Sequence, residues 1–468
     1  MLIEVSNTIR IKNPTDTVKQ WCKDNLVISN PEYSKKLRMS LWLGNTPKTL
    51  SLYEIDGDTW VLPFGVLNEV FSMRDKSTIV FNGFNHNTDV VNYHEHGLNL
   101  FDYQEEAVNK MINAKFGILQ SPAGSGKTQM GIALAFRLKR KTLWLCHTKD
   151  LINQSKERAL QYISKDLIGT ITEGKVNIGR GITFATIQTM CNLDLAQYKD
   201  TWDVIITDEV HRVSGTPTAV TRYQKVLNSL SARHKYGLSA TVHRSDGMIK
   251  ATYALVGKVA YNVPPEAVAD KIENVGIKPI ETSFDLQLSS LNPDGTLNYA
   301  KLINDICDDD VRNDLIVKSI INEGGNHSSL ILSDRVHHLA KIISLLPKNI
   351  RDKSVVIHGK MTSKKGKHAR EQALEDMRNG KKRYLFATYA LAKEGLDIPR
   401  LDRLYLTTPR NDYAVIVQSV GRIARKFEGK DDPVAIDFVD SKVKYLAKSY
   451  KKRLRSYRKC NCYFVEGK

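Results

Sequence analysis

Three short segments carry residue types that could handle a chain of phosphates. Ser121-Pro122-Ala123-Gly124-Ser125-Gly126-Lys127-Thr128 follows a short apolar run and opens a helical one. Two glycines with Ser125 between them let the backbone curl so that its N–H groups point at phosphate oxygens, and a helix start adds a favourable partial charge. Lys127 can then reach the β- and γ-phosphates, and the Thr128 hydroxyl can bind Mg2+. Ser121 stands where the general G-x-x-x-x-G-K-[ST] pattern has its first glycine. Asp208-Glu209-Val210-His211 follows the apolar run Val204-Ile-Ile-Thr207. A carboxylate at the C-terminal end of such a strand can hold Mg2+, and a second beside it can orient or deprotonate an attacking water. Gln418-Ser-Val-Gly421-Arg422-Ile-Ala-Arg425 sets two guanidiniums three residues apart, which on a helix share one face and can stabilise charge developing on a γ-phosphate. Each segment alone has a plain alternative: a glycine-rich turn, a surface acidic pair, a basic helix. In this order, each beside a strand-like run, they point to hydrolysis of a nucleoside triphosphate.

The elements that must position these groups are legible as alternating apolar runs and charged helical stretches from about residue 98 onward. Strands are expected at 116–120, 142–146, 182–185 and 204–207, with a helix over 130–139 after the phosphate loop. A second set follows at 329–333, 383–388, 403–407 and 434–438. Near-continuous apolar character fits strands of a parallel sheet covered on both faces, so two α/β units are expected. Between them, 262–310 reads as a connector, with Pro264-Pro265, Asn292-Pro-Asp-Gly295 and Asp308-Asp309-Asp310. Ahead of them, residues to His96 read as a small separate domain. There Leu50–Ile55 alternates, Asp56-Gly57-Asp58 turns and Thr59–Leu62 returns, a hairpin pattern. Trp21, Trp42 and Trp60 are expected in its core, with a base-stacking surface as the alternative. The basic stretch 442–459 is either a solvated helix face or a nucleic-acid contact.

At 468 residues the chain is long enough for two or three domains, and 41% apolar residues suffice for real cores. No apolar run reaches the roughly eighteen residues of a membrane span, and the N-terminus lacks the pattern of a secretory leader. The net charge of +18, from 69 Lys+Arg against 51 Asp+Glu, favours a polyanionic partner such as a phosphate backbone. Cys22, Cys146, Cys191, Cys307, Cys460 and Cys462 form no paired C-x-x-C set, so a zinc site and an iron–sulfur cluster are not expected. Free thiols in a reducing cytoplasm are the expectation.

At these segments the chain resembles the superfamily 2 helicases of the DExH DNA-translocase type, over roughly residues 98–438. The resemblance implies two RecA-like lobes with ATP and Mg2+ bound in the cleft between them. It implies that Tyr103-Gln104 reads adenine, and that Gly395 and Asp397, in Glu394-Gly395-Leu-Asp397-Ile-Pro399, face the nucleotide. Cys146-His-Thr148-Lys149 and Ala185-Thr186-Ile-Gln188-Thr189 resemble the motifs that grip one strand's phosphates. Gly237-Leu-Ser239-Ala240-Thr241 resembles the motif linking nucleotide state to nucleic-acid grip. Leu332-Ser333-Asp-Arg335 and Ala387-Thr388 resemble two further motifs, whose Ser333, Arg335 and Thr388 would touch backbone. His243-Arg244-Ser-Asp246-Gly247 after the Ser-Ala-Thr is part of a likeness to the phage UvsW-type branch-migration helicases and the XPB-like group, and Arg244 joins the implied nucleic-acid contacts. The chain departs from the RNA-helicase boxes in Val210-His211 and in Arg422-Ile-Ala-Arg425, while the arginine spacing is kept.

The expectation is therefore an α/β protein of two tandem RecA-like parallel-sheet lobes with a small β-containing N-terminal domain. Its parts are an accessory DNA-binding domain at 1–96, an ATP-binding lobe at 97–262, a connector at 263–310, a second lobe at 311–445 and a basic tail at 446–468. The expected activity is ATP- and Mg2+-dependent DNA unwinding or translocation on branched DNA. The protein is expected to be monomeric and cytoplasmic, in a host's cytoplasm if phage-encoded, with no membrane association. An RNA helicase and a non-catalytic ATP-binding clamp are the alternatives.

Overall fold

The computed structural model describes residues 1–84, 90–242, 247–359, 361, 363–392, 396 and 398–465. Two compact units are present, one comprising Met1–Pro122 and Gly126–Ala267, the other built on Val268–Lys468. Both are α/β, each around its own largely parallel sheet, as expected of RecA-like lobes.

The first unit holds an eight-stranded sheet in the order Lys175–Asn177, Ile168–Thr172, Ile182–Thr186, Thr142–Cys146, Val204–Asp208, His234–Ser239, Phe116–Gln120, Val259–Asn262. Only the Lys175–Asn177 edge pairs antiparallel. Thr142–Cys146 and Val204–Asp208 are buried along their whole length, which is why each is a run of apolar residues. His234–Ser239 lies between the strand before the phosphate loop and the strand before the carboxylates. Its register pairs Leu238 with Asp208 on one side and Ser239 with Gln120 on the other, so these strands end together. All three therefore deliver their next residues to one edge of the sheet.

The N-terminal region forms a five-stranded sheet in the order Glu54–Asp56, Thr59–Pro63, Thr8–Lys12, Leu2–Val5, Ile79–Asn82. The expected hairpin turns at Gly57, whose φ of +60° suits glycine. The alternating run before it is split: Thr49–Ser51 pairs with Val27–Ser29, and only Glu54–Asp56 joins the hairpin. Its core is continuous with the larger sheet's outer helices. Val220, Met248, Ala251 and Ala254 are buried in the same cluster as Ile9, Val18, Leu62 and Val70. Gly65 makes the approach possible, because a Cβ there would lie 2.5 Å from the Gly257 nitrogen and the Tyr253 oxygen. Of the three tryptophans assigned to this core, Trp60 is 7% exposed and stacks on Tyr53, and Trp21 packs at the margin. Trp42 is 88% exposed and takes no part in it, a correction to the sequence reading.

The second unit holds a seven-stranded, wholly parallel sheet in the order Ser354–Ile357, Tyr384–Thr388, Ser329–Ser333, Arg403–Leu406, Val434–Val439, Gly276–Glu281, Tyr463–Phe464. Gly276–Glu281 comes from the stretch read as connector. It tolerates Pro279 because its second neighbour covers only Gly276 and Ile277, leaving the proline on an open side. The basic segment near the C-terminus forms helix Lys444–Lys459, which buries Leu446, Arg453 and Tyr457 against the sheet and turns its remaining cations outward. Among the described residues no helix is long and apolar enough to cross a membrane.

Candidate nucleotide site and its surroundings

The phosphate loop has the backbone its glycines predict. Gly124 and Gly126 sit at φ +85° and +79°, conformations costly for any residue with a Cβ, and Gly126 caps helix Lys127–Leu138. A Cβ at Gly126 would also lie 2.4 Å from Gln104 Nε2. Gln104 is 1% exposed, and its Oε1 accepts from the Phe101 N–H at 3.0 Å. That bond fixes the amide plane and turns the NH2 toward the loop, so Gln104 is held against the phosphate-loop glycine. Tyr103, one residue before, is half-buried, and its ring stacks at 6.0 Å on Phe101. Ser125 is buried, and Thr128 stands on the first turn of the helix. Lys127 Nζ donates to the carbonyls of Ser121 at 3.3 Å and Pro122 at 3.2 Å, which keeps the ammonium over the loop.

Asp208 ends its strand 6% exposed. Burial and the neighbouring Glu209 charge push its carboxyl from the ordinary 3.8 up to about 7, while the Glu209 N–H, Lys127 and the Ser155 hydroxyl pull the other way. The Glu209 N–H donates to Oδ1 at 2.9 Å. A buried carboxylate beside a partly exposed one suits a divalent cation, and Asp208 with the Thr128 hydroxyl offers the hard oxygen donors that Mg2+ takes. Glu209 itself sits at φ +48°, an uncommon conformation for a non-glycine residue and one found at functional turns. His211 Nδ1 lies 3.2 Å from Glu209 Oε2 and 3.1 Å from Ser239 Oγ. The Ser239 hydroxyl spends its one proton on the Thr241 carbonyl at 2.6 Å. Its oxygen must therefore accept from His211, which places the imidazole proton on Nδ1. A chain of contacts thus runs from Glu209 through His211 to Ser239 and Thr241.

The residues expected to touch nucleic acid in this unit divide. Thr148 caps helix Lys149–Ala159, its hydroxyl accepting from the Leu151 N–H at 3.4 Å, and Lys149 pairs with Glu173 at 2.7 Å. Gln188 is exposed and donates to the His147 carbonyl at 2.8 Å, tying the two motifs together. Thr186 is 8% exposed, and its hydroxyl bonds Thr189 Oγ1 at 2.9 Å. It caps the short helix Ile187–Met190 from a largely buried position. Arg244 lies outside the described residues.

In the second unit, Ser333 and Thr388 are cross-strand partners. Ser333 Oγ is buried, 2.9 Å from His338 Nδ1. Arg335 donates from Nε to Asn304 Oδ1 at 2.8 Å. Gly395 and Asp397 lie outside the described residues. Gln418 is buried on helix Tyr413–Ile423, and Arg422 Nη1 on the same helix donates to the Leu396 carbonyl at 2.7 Å. Arg425 is not on that helix. The helix is capped at Ala424, and Arg425 forms an antiparallel bridge with Ile272. The shared-face expectation is therefore corrected: a loop places Arg425. Two residues hold that loop that sequence reading missed. Lys430 Nζ donates to the carbonyls of Ile423 and Arg425, both at 2.5 Å, and pairs with Glu273 at 2.9 Å. The Glu273 N–H donates to the Ala424 carbonyl at 2.7 Å. Nothing local in the sequence marks a lysine five residues after an arginine as its support.

Among the described residues one set of three could in principle ligate a metal, His327 with Asp402 and Asp431. Arg403 Nη2 lies 2.9 Å from His327 Nε2, and a guanidinium only donates, so the proton sits on Nδ1 and bonds Asp402 at 2.9 Å. The set is a hydrogen-bonded network that needs no ion.

Comparison with known proteins adds the following. The family described as the res subunit of type III restriction enzymes matches residues 97–244, and the helicase conserved C-terminal domain matches 312–427. A mimivirus protein, L396 of Acanthamoeba polyphaga mimivirus, named provisionally as an ATP-dependent RNA helicase, is 29% identical over 336 residues, covering 69% of this chain and only 60% of its own length. XPB2 of Sulfurisphaera tokodaii, named a DNA 3'-5' translocase, is 27% identical over 353 residues, covering 69% of this chain and 77% of its own. The solved structure of T4 UvsW covers 99% of both chains at 18% identity with a TM-score of 0.42.

Proposed function

Since the chain belongs to the superfamily 2 helicases, with an XPB-type translocase among its relatives, we propose that it is an ATP- and Mg2+-dependent DNA helicase or translocase acting on branched DNA. The observation that carries the ATPase part is the convergence of the phosphate loop, Asp208-Glu209 and Ser239 at one sheet edge, with His211 joining Glu209 to Ser239. Gln104 would read the base, and the Gly124–Thr128 backbone with Lys127 would hold the phosphates. Thr128 and Asp208 would hold Mg2+, which when bound neutralises phosphate charge. Glu209 would accept the proton of the attacking water as the terminal phosphoryl group passes to it. Arg422 and Arg425 would stabilise the charge that develops, with Gln418 beside them. His211 gives Glu209 a route to Thr241, by which nucleotide state would alter grip on the strand held at Thr148, Lys149, Gln188, Arg335 and Thr388. Residues 1–96 would act as the DNA-binding accessory domain and 97–262 and 311–445 as the lobes, the second completed by strand Gly276–Glu281 from the 263–310 stretch and by helix Lys444–Lys459 from the basic tail, in a monomer.

The +18 charge suits a phosphate backbone of either kind; DNA is favoured by the XPB2 likeness, and the mimivirus relative's name keeps RNA as the second reading. The test is the ATPase rate with no nucleic acid, single-stranded DNA, duplex, a four-way junction and RNA, beside Lys127→Ala. Strongest stimulation by the junction is expected. Stimulation by RNA alone would transfer the protein to the RNA helicases, and a wild-type rate no higher than that of Lys127→Ala would leave only a nucleotide-binding clamp.

A further inference from the structure

Trp42 is the least buried tryptophan by a wide margin: Trp60, Trp144 and Trp202 are 7%, 0% and 1% exposed, against its 88%. Burying a tryptophan is worth more than burying almost any other side chain, so one left in water asks for an occupant. Three neighbours share its exposure, Leu37 at 60%, Met39 at 57% and Leu41 at 51%. The segment that carries them, from the last turn of helix Pro31–Arg38 to strand Thr49–Ser51, is not loose. Lys36 Nζ donates to Thr46 Oγ1 at 2.7 Å, and the Leu41 N–H donates to the Lys36 carbonyl at 2.9 Å. Asn30 Nδ2 donates to the Pro47 carbonyl at 2.8 Å. The indole's six-membered ring lies over Gly44, where a Cβ would come within 2.9 Å of it, at a φ of +50°. Apart from this approach the ring meets water, the residue being 88% exposed.

The charge of this segment is predominantly positive, with Lys36 paired to Glu32 at 3.7 Å. Lys35, Lys36, Arg38 and Lys48 stand against a single carboxylate, Glu32, between residues 31 and 48. An apolar patch that docks protein has no need of an almost purely cationic rim, whereas phosphates do. A flat aromatic face beside apolar side chains of wedge type is what unpaired or unstacked bases need.

We propose that the Leu37–Gly44 segment is a nucleic-acid site, in which Trp42 stacks on an unpaired base at a DNA branch point while Lys35 and Arg38 contact the flanking phosphates. This rests on the reading of the chain as a DNA helicase and adds where branched DNA is recognised, on a surface apart from the phosphate loop.

The experiment titrates full-length protein with a forked oligonucleotide carrying an unpaired nucleotide at its branch, following DNA anisotropy and tryptophan emission together. Wild type should bind with quenching of emission. Trp42→Leu, which keeps apolar bulk without a π face, should lose the quenching and bind at least roughly fivefold more weakly. Trp42→Tyr should recover most of the affinity, and Lys35→Glu with Arg38→Glu should flatten the salt dependence. Wild-type binding with Trp42→Leu equally tight would overturn the site and leave the DNA reading standing. No binding by wild type would remove both. A wild-type dimer that Trp42→Leu makes monomeric, with DNA affinity unchanged, would reassign the patch to contact between copies of the chain.

Discussion

The two units differ in the partners given to their most buried charges. In the second, buried arginines face buried aspartates. Arg312 Nε lies 2.7 Å from Asp440 with both side chains fully buried, its Nη1 donates to the Thr407 carbonyl, and the Thr282 hydroxyl completes the carboxylate. Arg453 meets Asp437 at 2.8 Å, and the Tyr457 hydroxyl joins the same oxygen. In the first, Asp203 is likewise flanked by Arg140 and Arg233, but Asp208 and Lys235 take neutral hydrogen-bond partners. Asp208 is met by a serine hydroxyl and a backbone N–H. Lys235, 1% exposed at the opposite end of the strand from Ser239, donates to the carbonyls of Asn7 at 2.9 Å and Leu227 at 2.8 Å, with the Phe64 ring 5.0 Å away. Ion pairs built into a core are complete without a ligand and serve structure. A buried carboxylate left with neutral partners keeps its field for a cation that arrives from solution, and that is where the phosphate loop lies.

The sharpest break of this contrast is at the phosphate loop. Lys127→Ala should lower ATP turnover by roughly 100-fold or more while the fold survives, and Glu209→Gln should bind nucleotide but not turn it over; a filter-binding and phosphate-release pair of assays separates the two. Equal turnover in either variant would remove that residue from its role. In the second unit the expected loss is of stability instead. Arg312→Met or Asp440→Asn leaves one buried charge unmatched and should cost about 3–5 kcal/mol, read as an earlier urea transition of that unit. A shift below about 1 kcal/mol would mean that the pair is replaceable.

Smaller effects should appear as opposite pH slopes within the first unit. The Asp208 pKa is raised from 3.8 to about 7, so between these values the folded protein holds a proton the unfolded chain has released. Without nucleotide and Mg2+, stability should therefore fall as pH rises through that window, and Asp208→Asn should remove the fall. Mg2+-dependent nucleotide affinity should rise over the same range, because the cation needs the ionised carboxylate. Burial lowers the Lys235 pKa from 10.5 to about 7, so there the unfolded chain holds the extra proton above neutrality. Stability should climb as pH rises from about 7 toward 10, and Lys235→Met should flatten the climb in thermal melts. A slope of unchanged size in that variant would assign it to another group.

Much of this was readable beforehand, and for one reason. Strands covered on both faces must be apolar throughout, so Phe116–Gln120, Thr142–Cys146 and Ser329–Ser333 stand out in the sequence at the bounds the structure shows. Gly276–Glu281 did not, because a strand near the sheet's edge can carry Lys278, Pro279 and Glu281. Thr186, read as a contact, also caps the turn that follows its strand, a second use that a threonine after a strand does not announce in sequence. Trp42 read as core because composition cannot say which of several tryptophans a small domain has room to bury.

The local sequence by itself determined the phosphate loop, whose glycines take its positive φ angles without strain, and the apolar runs that lead into it and into Asp208. Only the tertiary structure decided that His234–Ser239 lies between those two strands, that Ser239 thereby meets His211, and that Lys430 and Glu273 carry Arg425 past the end of its helix. The physical reason is range: φ preferences and burial patterns act over a few residues, whereas strand order and charge pairing join groups that the chain brings together only through its crossovers.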